Sequence, residues 1–133
     1  MRRVPECVAA ISAFASFLAL PLPAVAAGDC FVIYPNAVPG RGFVFGSDAY
    51  VAMTVPKGTV CREPVRAGGG TILSSRITTK SRLGIAAVSS TTNFAYKAPN
   101  QPGRDSFVLT LTGQEPGGPV ATSNLHFTVT ITD

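Results

Sequence analysis

Few side chains in this chain are of the kind that do chemistry. There is one histidine, His126, and there are three cysteines, Cys7, Cys30 and Cys61. A histidine that drives acyl transfer needs a nucleophile on one side and an orienting acid on the other. Serines are numerous, but none stands in a G-x-S-x-G turn. His126 falls in the alternating run Leu125–Ile131, on the parity opposite to Leu125, Phe127 and Val129. It is therefore expected on the solvent side of a strand. Pairing it with Met53 as a soft-metal site fails on the same grounds. Met53 shares a face with Val51 and Val55, and no further ligand set accompanies it. The reading is of no enzyme, no metal and no cofactor.

A second group of candidates is cationic. Arg62, Arg66, Arg76, Lys80 and Arg82 lie within 21 residues, opposed only by Glu63. If residues 71–82 form one strand, Arg76, Lys80 and Arg82 share a face with Thr78. Such a face suits an anionic partner: an envelope polysaccharide, a lipid headgroup or an acidic protein. The plainer alternative is a solvated edge strand, where cations discourage pairing between molecules. Nucleic acid is not expected, because no aromatic residues interleave with the charges. Gly68-Gly69-Gly70 lacks the G-K-[ST] of a phosphate loop and reads as a flexible connection. Phe43, Phe45 and Tyr50, in a glycine-rich stretch, are expected as core or loop anchors, with an exposed binding surface as the alternative.

The N-terminus reads as an address. Arg2 and Arg3 precede an apolar run from Val8 to Leu22, and Ala24-Val25-Ala26 fits a small-residue cleavage site. Cleavage is expected after Ala26, with Ala27 as second choice. The run is shorter than the ~20 residues of a spanning helix, and Pro21 and Pro23 interrupt its end. Asp29 before Cys30 argues against lipidation. The expected organisation is thus a signal peptide over 1–26 and one domain over 27–133, with no transmembrane segment after cleavage. Removing 26 of the 133 residues leaves 107 and takes Cys7 with it. The loss of Arg2, Arg3 and Glu6 lowers the net charge from +4 to +3. That is a solubility value and not a nucleic-acid signature. Cys30 and Cys61, 31 residues apart, are then an even pair in an exported chain. They are expected as a disulfide, which by loop-closure entropy stabilises by about 3–4 kcal/mol.

These residues must be carried by strands. All 13 glycines fall at Gly28 or later and punctuate short apolar runs. The runs are Cys30–Tyr34, Tyr50–Val55, Thr59–Cys61, Thr71–Thr79 (with Leu73 and Ile77 facing in), Leu83–Val88, Asn93–Lys97, a run through Phe107–Thr112, and Leu125–Thr132. Gln114–Pro119 reads as a hairpin loop. The fold class is all-β, an antiparallel sandwich of about 7–8 strands. Charged residues are only 14% of the chain, well below the roughly 25% norm. Thr and Ser on the outward strand positions keep those faces wet without charge.

The C-terminal part carries a further pattern. Tyr96-Lys97-Ala98-Pro99, then Gly103-Arg104-Asp105-Ser106-Phe107, then Phe127-Thr128-Val129-Thr130-Ile131 resembles the end of bacterial Ig-like and cadherin-like modules. The resemblance covers residues 93–133. It implies an Ig-like sandwich in which Pro99 sets a turn, Gly103 takes a positive φ, Asp105 accepts backbone N–H bonds and Phe107 enters the core. Tyr96 is expected to bury its ring and place its hydroxyl on a backbone partner, as corner tyrosines of sandwiches do. Calcium does not carry over, because residues 27–133 contain only six scattered acids. The expected function is a non-catalytic, periplasmic or secreted module of the bacterial envelope that contacts another envelope or extracellular protein. The alternative is a binder of anionic glycan or lipid headgroups through the basic stretch.

Overall fold

The structure is a computed structural model and describes residues 30–35 and 42–133. The signal peptide expected over 1–26 and its cleavage site lie outside the described residues. The described chain is all strand and connection. In order the strands are β1 (Phe31–Ile33), β2 (Ala49–Pro56), β3 (Val60–Pro64), β4 (Thr71–Thr79), β5 (Ile85–Ser90), β6 (Asn93–Lys97), β7 (Gly103–Gln114) and β8 (Val120–Thr132). They form a five-stranded sheet, β1-β2-β8-β7-β4, and a three-stranded sheet, β3-β6-β5. Every pairing is antiparallel except β2 with β8, which run parallel from Ala49↔Leu125 to Pro56↔Thr132.

Alternation decides which residues meet between the sheets, because side chains two apart share a face. Val51, Met53 and Val55 of β2, Phe107, Leu109 and Leu111 of β7, and Leu125, Phe127, Val129 and Ile131 of β8 are buried. The three-stranded sheet contributes Cys61, Phe94 and Tyr96. Aromatic rings make the join. Phe107 stacks on Phe127 at 4.5 Å and on Tyr96 at 5.8 Å, and Phe94 meets Phe127 edge-on at 4.9 Å. Such pairs add about 0.5–1.5 kcal/mol beyond the area they bury. The disulfide is present between Cys30, just before β1, and Cys61 of β3, with Cα atoms 5.9 Å apart. It therefore links the two sheets.

Several expectations need correction. Ile77 packs against the core as expected, but Leu73 is exposed, because the β4 register slips between Ile72 and Ser74, and Ile72 takes the inward place. The strand expected from Leu83 starts at Ile85. Gly103 opens β7 without a positive φ, and the left-handed glycines are Gly46, Gly58, Gly68 and Gly117. Phe43 and Phe45 are buried as expected, but Tyr50 is not and lies on the outer face of β2.

Candidate contact surface

The five cations do not share one strand face. β4 ends at Thr79, so Lys80 and Arg82 lie in the connection to β5 and not on a strand face. Arg76 pairs with Thr110 on the outside of the five-stranded sheet. Arg62 points out from the three-stranded sheet, opposite Ala95, and Arg66 follows in the loop after β3. The outer faces of the two sheets look in opposite directions, so Arg76 and Arg62 cannot serve one flat ligand. Among the described residues, none of these five cations has a carboxylate within ion-pair distance.

What ends β4 is a carboxylate far along the chain. Asp105, at the start of β7, is buried and accepts five hydrogen bonds. The backbone N–H groups of Arg82, Leu83 and Gly84 reach it at 2.8, 3.2 and 2.9 Å, that of Ser106 at 2.9 Å, and the Tyr96 hydroxyl at 2.7 Å. The acceptor role expected of Asp105 is thus present. Tyr96 buries its ring as expected, and its hydroxyl donates to this side chain while the Gly84 backbone N–H also faces it. Burial alone raises the Asp105 pKa, but the bonds from Gly84, Tyr96, Arg82 and Ser106 outweigh it and hold the pKa below the ordinary carboxylate value. Burial, followed by the neighbouring Asp105, drives the Tyr96 pKa far up. Gly84 is needed here, because a Cβ would collide with the Lys97 carbonyl and the Tyr96 hydroxyl. This cluster ties β7, β6 and the β4–β5 crossover together. Its chemistry is structural, since every acceptor position is used from within the chain.

His126 is half-exposed on the outer face of β8, as its parity implied. Its ring stacks on Tyr50 at 5.0 Å, and its Nε2 lies 3.3 Å from Asp48 Oδ2. Asp48 also accepts the Asn124 backbone N–H at 3.0 Å. That bond, then His126, lowers the Asp48 pKa. No hydroxyl nucleophile is bonded to His126 in this cluster.

The exposed apolar side chains give a clearer surface. Phe31 and Ile33 of β1 are 67% and 59% exposed, and Tyr50 of β2 is 55% exposed. Phe31 opposes Thr54 and Ile33 opposes Ala52, so Phe31, Ile33, Ala52 and Tyr50 lie on one outer face, ending at His126. β1 is also a free sheet edge among the described residues. Two of the other edges carry guards of the kind that block strand addition: β4 has two register breaks and Arg76, and β3 carries Arg62, Glu63 and Pro64. β5 also exposes Ile85 and is uncharged, but its register breaks between Val88 and Ser90. β1 is Phe-Val-Ile in unbroken register, with no charge and no proline. Sequence reasoning passed over Phe31 and Ile33. Their signal was an apolar pair of equal parity in a run too short to be covered on both faces.

Among the described residues, no helix is long and apolar enough to cross a membrane. No protein-family model, no curated protein and no solved structure matches the chain.

Proposed function

We propose that this protein is a non-catalytic, periplasmic or secreted Ig-like module of the bacterial envelope that works by binding another protein. The observation that carries the reading is the unguarded β1 edge with Phe31, Ile33 and Tyr50 beside it. A free edge offers backbone donors and acceptors to an incoming strand, and neighbouring apolar side chains supply specificity. Strand order supports the fold reading. β3-β6-β5 and β4-β7-β8 follow the B-E-D and C-F-G orders of Ig sandwiches, with β2 added parallel beside the last strand. There are departures. The disulfide leaves β3 for the residue before β1 and not for β7, and the buried tyrosine sits on β6 and not at the start of β7. The disulfide accords with an oxidising compartment. The anionic-ligand reading has less support, because its cations are divided between opposite faces.

A photo-crosslinking residue placed at Phe31 or at Ile33 in whole cells tests the contact. The expected result is a protein adduct from both positions, none from Ser89 on the other sheet, and loss of the Phe31 adduct when Ile33→Lys is added. Equal adducts from Ser89, or none from β1, would overturn it.

A further inference from the structure

Among the described residues, β1 is held to the molecule by little. It has three residues and three register pairs with β2. Phe31 and Ile33 point to solvent, so only Val32, with Cys30 and Tyr34 at its ends, packs on the core. Tyr34 adds one long bond, accepting the Arg66 N–H at 3.4 Å. The strand behind β1 is different. β2 pairs with β8 along eight residues and buries Val51, Met53 and Val55. Among the described residues, the one strong tie on β1 is the disulfide at its entrance, which anchors Cys30 to Cys61 in the opposite sheet. The two cysteines are unequally accessible as residues, with Cys61 fully buried and Cys30 only partly so.

We propose that the Cys30–Cys61 bond is a thiol–disulfide exchange site, attacked at Cys30, that latches β1 over the β2 edge. In regulating the contact edge it rests on the function proposed above. The reductant is a dithiol. One of its thiolates attacks the Cys30 sulfur, a mixed disulfide forms, and the bond to Cys61 breaks. Cys61 leaves as a thiolate and takes a proton. The second thiolate of the reductant then displaces Cys30, which is protonated in turn. The reductant ends as a disulfide, and two electrons have passed to the protein. With the bond open, β1 leaves while the sandwich stays folded, and Ala52, Met53 and Thr54 of β2 become edge residues. Among the described residues, the edge is then the unbroken eight-residue β2, of which β1 had covered three.

Hydrogen exchange on the purified, exported protein, before and after a small dithiol, tests the latch without any partner. Reduction is expected to speed exchange by about 100-fold or more at those amides of 31–33 and 52–54 that bond across the β1–β2 pair, while β7 and β8 keep their protection. The single variant Cys30→Ser should show the same pattern without reductant. A mixed disulfide trapped early should sit on Cys30. Unchanged exchange at 52–54 overturns the proposal, because β1 has stayed. Loss of protection across β7 and β8 also overturns it, because the bond then holds the whole fold. Trapping on Cys61 overturns the assigned site of attack. The latch can fail in this assay while the β1 crosslinks stand, and the crosslinks can fail while the latch holds.

Discussion

A buried carboxylate is costly unless hydrogen bonds replace its lost water, and Asp105 has five donors. Removing it strands a buried tyrosine hydroxyl and the backbone N–H groups of the β4–β5 connection. Asp105→Ala should therefore destabilise by about 2–4 kcal/mol, read as a lower urea midpoint at pH 7. Tyr96→Phe removes one donor and leaves the other four. Its expected cost is about 1–2 kcal/mol. The two variants also differ in acid. The folded Asp105 pKa lies below the ordinary value, so the folded state binds fewer protons than the unfolded chain does. The stability this group contributes is complete above the ordinary carboxylate pKa and is lost as pH falls through the folded value. The Tyr96 bond is one cause of that lowering. Tyr96→Phe should then lose structure at a higher pH than the wild type in a circular-dichroism titration. Asp105→Ala should lack this step. An unchanged acid midpoint in Tyr96→Phe would refute the assigned role of its hydroxyl.

At the scale of elements, legibility follows the range of the forces. β7 and β8 were readable because one face of each is buried along its length, which imposes a strict period of two on Phe107–Leu111 and Leu125–Ile131. β4 was not, because it bulges twice and half-buries its alternating residues. Its end was hidden for a different reason. Thr79-Lys80-Ser81-Arg82 suits strand or loop equally, and the decision is made by Asp105, more than 20 residues away, pulling on the Arg82–Gly84 backbone. The strand that would carry Arg76, Lys80 and Arg82 on one face ends at Thr79. This division has a measurable consequence. Arg76→Glu with Arg82→Glu should weaken retention on an anionic polysaccharide no more than Arg62→Glu with Lys97→Glu. Each pair removes the same charge, and exposed charges are felt only within about 10 Å at 0.1 M salt. A selective loss in the first pair, measured across a salt gradient, would restore the basic site.

For the whole molecule, the disulfide joins the two sheets near one end of a chain whose last strand returns to pair with β2. Its main action is on the unfolded chain, where it closes a loop with a separation of 31 residues. Replacing both cysteines by serine should lower the unfolding free energy by about 3–4 kcal/mol on the chain-entropy account. A domain of this kind has roughly 5–15 kcal/mol in hand, so the variant is expected to remain folded in water with a reduced urea midpoint. The slope of the urea transition separates global from local effects, since it follows the surface exposed on unfolding. If β1 is already detached in the folded variant, less surface remains to be uncovered and the slope should fall slightly with the midpoint. A fall in midpoint at constant slope would mean that β1 stays on the sheet without its bond. A variant that is unfolded at zero urea would mean that the core built on Phe94, Tyr96, Phe107 and Phe127 cannot hold the sandwich without the cross-link.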